Sequence, residues 1–158
     1  MFSFVGCRAN DKGYSSAEGV ITEYINTYYT ITKDDIELYK KITAGYKNIQ
    51  DLVSDTNKAN ERFKNLMTDS AYAKITGNLM TYRRCKEASD NGYYVEVKSV
   101  KLEKYFENAE REVYYYYIEL VQTSISGNEV KNIKDRKQIT VTKINGNWKV
   151  SNSYANGY

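Results

Sequence analysis

The 158 residues are enough for one domain with a buried core, and 41% hydrophobic with 27% charged residues is ordinary for a globular protein. The net charge of +3 is mild and is not concentrated in one part of the chain, so we expect no nucleic-acid partner. The chain has no histidine, which excludes histidine-dependent catalysis, and Cys7 and Cys85 lie too far apart in sequence for a CxxC motif. We therefore expect no cofactor and no metal site.

Two helices are predicted near the N-terminus. A capping box at Ser15–Glu18 starts the first helix, whose apolar residues recur at helical spacing. They are Val20, Ile21, Tyr24, Ile25, Tyr28 and Tyr29. A second capping signal at Thr32–Asp35 starts a shorter helix that Gly45 is expected to end.

Two further helical segments follow. One is predicted over about 48–67, with a kink or break at the weak helix formers of 54–60. After a cap at Thr68, the other is predicted as a single helix from Ala71 to about Ala88, with Gly77 inside it. The predicted order of elements is therefore helical up to the Asp90–Gly92 turn.

From residue 93 the apolar period changes from 3.6 to 2, which indicates strands. Strands are predicted at 93–103, with a bulge near Ser99, and at 112–122, 137–144 and 147–153. The polar stretch 123–136 is predicted as a loop, and Asn145-Gly146 as a two-residue hairpin turn. Helices followed by hairpin-connected strands predict an α+β fold, with N-terminal helices packed on a roughly four-stranded antiparallel sheet.

The run Tyr114–Tyr117 places two tyrosines on each face of its strand. Alternation alone leaves open which pair faces the helices. Tyr114, Tyr116 and Trp148 are the candidate residues for lining a pocket, where their polar groups would bind a ligand. The alternative is that they pack in the core, with hydroxyls reaching water or carbonyls at its rim.

The helix pair AEGVITEYINTYYTITKDDIELYKKI and the terminal strand NGNWKVSNS resemble the nuclear transport factor two-like (cystatin-like) superfamily. The resemblance implies a curved, cone-like sheet around the first helix, with a cavity at the open end. Within that superfamily the chain is most similar to small extracytoplasmic lipoproteins of low-GC Gram-positive bacteria. Its FVGC then resembles the end of a lipoprotein signal peptide, with Phe4 where leucine is usual. The resemblance implies that a basic segment and a full apolar segment precede FVGC.

This resemblance implies that residues 1–7 are a signal-peptide remnant, 8–14 a tether and 15–158 a single domain. Cys7 would carry a diacylglyceryl group that anchors the protein in the membrane. The alternatives for Cys7 are a free cysteine or a disulfide with Cys85.

The expected function is a non-catalytic, membrane-anchored lipoprotein that binds a small ligand or a protein partner at the Gram-positive cell envelope, and homodimer formation is left open. One alternative is a scaffold subunit of a conjugation or type IV secretion-like assembly. Another is an isomerase- or cyclase-like enzyme with a carboxylate and tyrosines inside the cone. Glu96 and Glu119 are the strand carboxylates available for that chemistry.

Overall fold

The computed structural model describes residues 13–45 and 47–153, with the backbone alone at 129 and 130. Five helices come first: α1 (Ala17–Tyr29), α2 (Lys33–Thr43), α3 (Ile49–Lys64), α4 (Asp69–Gly77) and α5 (Met80–Asn91). Four strands follow: β1 (Tyr93–Glu107), β2 (Arg111–Ser124), β3 (Glu129–Ile144) and β4 (Asn147–Ser153). The predicted α+β class is confirmed.

Side-chain caps set the starts of the first helices. The capping box of Thr32 and Asp35 at α2 forms as predicted. At α1 the cap is one residue later than predicted, because Ser16 and not Ser15 accepts the Gly19 N–H. Gly45 follows the end of α2 with a φ of 92°, the left-handed conformation that glycine tolerates best.

The helical half differs from the prediction at two places. α3 is one helix across 54–60, without the expected break. The single helix predicted from Ala71 to Ala88 is wrong, since α4 ends at Gly77 and α5 begins at Met80. Leu79 lies between them in the left-handed region, with a φ of 51°. The break redirects the chain, so that α5 packs against α2.

The strand half contains one large correction. The polar stretch 123–136 is not a loop, because β2 continues to Ser124 and β3 begins at Glu129. Only a short turn joins the two strands, closed by the Gly127 N–H donating to the Ser124 carbonyl at 2.8 Å. Polar residues are tolerated in this part of β3 because its outer face is exposed to solvent.

The sheet is a four-stranded antiparallel meander in the order β1-β2-β3-β4. The predicted bulge near Ser99 is confirmed as a register shift between Val97 and Ser99. The predicted Asn145-Gly146 turn is also confirmed, and both residues have a positive φ, of 50° and 83°.

The core lies between the helices and one face of the sheet, called the inner face below. Its largest fully buried side chains include Tyr24 and Tyr29 of α1, Phe63 of α3 and Tyr116 of β2. Among residues 13–45 and 47–153, none of the helices combines the length and the apolar character that crossing a bilayer requires.

Candidate functional site

The three candidate pocket residues, two on β2 and one on β4, lie on the inner face. Tyr114, Tyr116 and Trp148 are all buried, and Tyr115 and Tyr117 point to the opposite, outer face. The Tyr116 hydroxyl shares a hydrogen bond with the Tyr29 hydroxyl at 2.9 Å inside the core. Of the four tyrosines in the run, the even-numbered pair therefore faces the helices.

A cavity of about 310 Å³ lies beside this core, between the C-terminal end of α1, the helix α5 and strands β1, β2 and β3. Tyr114, Tyr116 and Trp148 are not among its lining residues, although Tyr29 lines it and contacts Tyr116. Its apolar wall is formed by Ile31, Met80, Val95, Leu120 and Ile133. This volume is at the lower end of the range found for small-molecule sites.

The polar wall of the cavity is mostly cationic. It contains four basic residues and one carboxylate, namely Arg83, Arg84, Lys131 and Lys137 together with Glu87. Lys137 has only 11% of its side chain exposed, and its ammonium group lies 3.3 Å from the Asp135 carboxylate. The excess of positive charge favours an anionic group in the cavity.

Arg84 has a structural task in this wall. Its guanidinium donates to the carbonyl oxygens of Tyr28 and Tyr29 at the end of α1, the second at 3.0 Å. It also lies 4.7 Å from the centre of each of these two rings. Arg84 therefore satisfies carbonyls that the end of the helix leaves unpaired, and it fixes both tyrosines at the cavity.

The cavity tyrosines are neutral at physiological pH. Burial raises the pKa of Tyr29, and the adjacent Tyr116 phenol raises it further. Burial, reinforced by the nearby Glu87 carboxylate, raises the pKa of Tyr93 to about 12. Tyr93 donates a hydrogen bond to Glu87 at 3.1 Å. These phenols therefore offer neutral hydrogen-bonding groups beside the cations.

The strand carboxylates expected for an enzyme lie elsewhere. Glu119 is on the outer face, where it accepts a hydrogen bond from Asn132 at 2.8 Å, and that bond holds its pKa below the usual value. Glu96 is exposed on the same face, opposite the buried Val95. A third strand carboxylate, Glu112, accepts a hydrogen bond from the inner-face Tyr114 and pairs with Lys104 at 3.2 Å. Glu112 does not line the cavity.

Of the two cysteines, Cys7 lies outside the described residues, so its proposed lipidation stays a prediction. Cys85 is free and buried, and burial raises the pKa of its thiol to about 11. Within the described part of the chain, no three side chains among aspartate, glutamate and cysteine come together in a way that would hold a metal ion.

No local sequence pattern predicts the residues that line this cavity. Arg84 was passed over because its partners, at the end of α1, are more than fifty positions away in the chain. Lys131 lies in the stretch predicted as a loop and Lys137 begins a predicted strand, and their positions in β3 turn both toward the inner face.

No family model matches the chain, and no curated protein matches it. Among solved structures, the chain is similar to the intermembrane space region of the chloroplast protein ARC6. The two are 13% identical, with a TM-score of 0.40, and the match covers 75% of this chain and 93% of that one. A likeness of this degree says nothing about what this chain binds.

Proposed function

We propose that the chain is a non-catalytic binding domain whose cavity takes a small ligand with an apolar body and an anionic group. The observation that supports this proposal is the cavity of about 310 Å³ between α1, α5 and the sheet. Its apolar wall suits a hydrophobic body, and its four basic residues suit a carboxylate or phosphate.

The orientation of the ligand follows from the placement of these groups. Ile31, Val95 and Leu120 are all parts of the buried core or its margin, so the apolar body points inward. Arg83 and Lys131 are exposed, so the anionic group lies toward the opening. This arrangement needs no desolvation of an unpaired charge, because the anion stays near water.

Binding without turnover fits the chemistry of the wall. Its phenols have raised pKa values, so they stay protonated near neutral pH and do not remove a proton from a bound anion. Glu87, the carboxylate among the described lining residues, is exposed and accepts the Tyr93 hydroxyl.

Calorimetric titration with 2-naphthoate and its neutral counterpart 2-naphthamide tests the ligand chemistry. We expect the carboxylate to bind about tenfold more tightly, since charge-assisted hydrogen bonds are stronger than neutral ones. The double variant Arg83→Gln with Lys131→Gln should remove this preference. Lys58→Gln on α3 is the matched control, because Lys58 is exposed and does not line the cavity.

A second pair of variants tests the place of binding. Ile133→Trp fills the cavity from β3 and should abolish naphthoate binding. Val121→Trp adds the same bulk to a half-buried position on the outer face and should leave binding unchanged. Equal affinity of both variants for naphthoate would contradict the proposed site, whereas equal binding of naphthoate and naphthamide would contradict an anionic ligand.

We further propose that the domain works outside the cytoplasm, anchored through a lipid on Cys7, as a lipoprotein of a Gram-positive cell envelope. The support is the FVGC sequence and its resemblance to a lipoprotein signal. Metabolic labelling with an alkyne fatty acid in the native cell tests this. Label that is lost in Cys7→Ser and kept in Cys85→Ser is expected, and label that survives Cys7→Ser would contradict the anchor.

A further inference from the structure

One stretch of the sheet has an open edge. β4 pairs with β3 only from Ile139 to Ile144, and β4 ends at Ser153. Residues 131–138 of β3, called the edge segment, pair with β2 on one side. On the other side, no strand of the described chain pairs with them. Within the described chain, the segment is therefore a strand edge without a neighbouring strand.

The direction of the backbone groups on this edge follows from two contacts. The Lys143 N–H donates toward β2, to the Glu110 carbonyl at 2.7 Å, and Thr142 lies opposite Lys149 of β4. Because backbone groups alternate along a strand, the even-numbered residues of the edge segment point away from β2. They are Asn132, Lys134, Arg136 and Gln138.

Within the described chain, one of these outward N–H groups has a hydrogen-bond acceptor. The Asp135 carboxylate accepts from the Arg136 N–H at 2.8 Å. No backbone carbonyl of the described residues accepts a hydrogen bond from the outward N–H groups of Asn132, Lys134 or Gln138. A strand laid along this edge would find donors and acceptors on both sides of Arg136.

The other edges of the sheet are covered or irregular. On β4, Trp148 donates to the Tyr14 carbonyl at 2.9 Å and Val150 to the Leu66 carbonyl at 2.8 Å. On β1, Val95 pairs with Ile31, and the rest of the strand carries two register shifts. Bulges twist an edge away from further pairing. The edge segment, whose register with β2 is unbroken, is the better docking surface.

Charge selects the kind of strand that pairs here. The edge segment contains four basic residues and one acidic residue, namely Lys131, Lys134, Arg136 and Lys137 with Asp135. A second copy of this chain would bring its own basic edge against it, and like charges directly opposite are destabilising. An acidic strand meets complementary charge instead.

We propose that the edge segment docks an extended acidic peptide of a partner protein by β-strand addition. Such a peptide continues the sheet where β4 ends, and about seven residues span the segment at roughly 3.3 Å each. Its side chains alternate between the cavity side, beside Lys131 and Lys137, and the outer face, beside Arg136. The Arg136 guanidinium lies 3.8 Å from the Tyr115 ring centre, which holds it in place there.

The proposal goes beyond a small ligand in the cavity, and its test uses peptides alone. The probe is the fluorescein-labelled octapeptide TEVEVDIE, and its basic counterpart TKVKVKIK is the charge control. Fluorescence anisotropy should report saturable binding of the acidic peptide and at least about tenfold weaker binding of the basic one. Equal binding of the two peptides would overturn the charge argument.

Peptide methylation separates strand addition from a simple charge contact. Two methylated forms of the acidic peptide are compared, one with N-methyl groups on the odd-numbered amides and one with N-methyl groups on the even-numbered amides. The form whose methylated amides would face β3 should bind about tenfold more weakly, because its hydrogen-bond donors are removed. The form whose methylated amides point away from β3 should bind as tightly as the unmodified peptide. Equal loss, or no loss, in both frames would overturn strand pairing.

Two protein variants locate the edge. Lys134→Pro removes an outward N–H, and Lys134→Ala removes the same charge but keeps that N–H. We expect Lys134→Pro to bind the acidic peptide about tenfold more weakly than Lys134→Ala. Circular dichroism is the check that both variants are folded. Equal affinities of the two folded variants would overturn the proposed edge.

Hydrogen exchange of the free, full-length protein tests whether another occupant already covers the edge. The amides of Asn132, Lys134 and Gln138 should exchange rapidly, and the acidic peptide should slow their exchange. Slow exchange in the free monomer would mean that another part of the chain covers the edge. Slow exchange only at concentrations where the protein dimerises would assign the edge to a second copy. Either outcome would overturn the proposal.

Discussion

Tyr29 and Tyr116 each carry a hydroxyl into the core, and each hydroxyl is the other's partner at 2.9 Å. A buried polar group without a partner costs free energy, whereas a buried pair is tolerated. The pair links α1 to β2 and holds Tyr29 beside the cavity. The stabilisation therefore depends on both hydroxyls being present and cannot be assigned to either residue alone.

Tyr116→Phe should lower the free energy of unfolding by about 1–2 kcal/mol, because it leaves the Tyr29 hydroxyl without its partner. The double variant Tyr29→Phe with Tyr116→Phe should lose less free energy of unfolding than the sum of the losses of the two single variants. Urea denaturation of the four proteins measures the coupling. The control, Tyr115→Phe on the outer face, should change stability by less than about 0.5 kcal/mol. Additive single changes would contradict the pairing.

Residue-scale features were predicted where they depend on local sequence. The capping box of Thr32 and the turn at Asn145 depend on residues within a few positions, and both were found. Alternation predicted that Tyr114 and Tyr116 share a face, but only the packing of α1 decides that this face is buried. Contacts between distant residues, such as that of Arg84 with α1, leave no local pattern.

At the scale of elements, the joint between α4 and α5 is the main departure from helical periodicity. Leu79 adopts a left-handed φ of 51°, and 55% of it is exposed. The left-handed conformation costs a residue with a Cβ roughly 1 kcal/mol or more. The burial that α5 gains against α2 and β1 offsets this cost.

Leu79→Gly should stabilise the protein by about 0.5–1 kcal/mol, because glycine adopts a positive φ without strain and little buried area is lost. Thermal denaturation followed by circular dichroism measures the change. If Leu79 lay inside one continuous helix, the same substitution would instead destabilise it by about 1 kcal/mol. A lower melting temperature for this variant would therefore contradict the break between α4 and α5.

The extent of β3 was missed for a physical reason. Residues 131–138 have no neighbouring strand on one side within the described chain, so polar and charged side chains are tolerated there, and they weaken the apolar alternation that signals a strand. The neighbouring β2 was predicted closely because both of its faces carry aromatic and β-branched residues. Apolar patterning therefore detects covered strands better than exposed ones.

At the scale of the whole molecule, the buried tyrosines make the free energy of unfolding depend on pH in the alkaline range. Burial raises the folded-state pKa of Tyr93 and of Tyr114 to about 12, from an ordinary value of 10.0, and it raises those of Tyr24, Tyr29 and Tyr116 as well. The unfolded chain therefore releases these protons first as the pH rises. The corresponding stabilisation is complete below about pH 10 and is lost above it.

Urea denaturation at a series of pH values should give a free energy of unfolding that falls steadily above about pH 10. The part of the ultraviolet tyrosinate absorbance that comes from the buried phenols should rise in step with unfolding, because these phenols ionise only when they are exposed. A free energy that is unchanged between about pH 10 and pH 12 would contradict the burial of these side chains.

The α+β class was predictable because the order of helices and strands follows from local periodicity. The cavity was not, since it depends on where α5 settles against three strands that are distant in sequence. The likeness to the nuclear transport factor two-like superfamily and the lipid anchor at Cys7 both stay predictions.

Chemical-shift mapping tests the ligand cavity most directly. A titration of the ¹⁵N-labelled protein with 2-naphthoate should shift the amides of Tyr28, Leu120 and Ile133, which line the cavity, along with those of Arg83 and Lys131. The amides of Val121 and Glu119, on the outer face of β2, should move much less. Shifts confined to the outer face, or no saturable shifts at all, would contradict a ligand site between α1, α5 and the sheet.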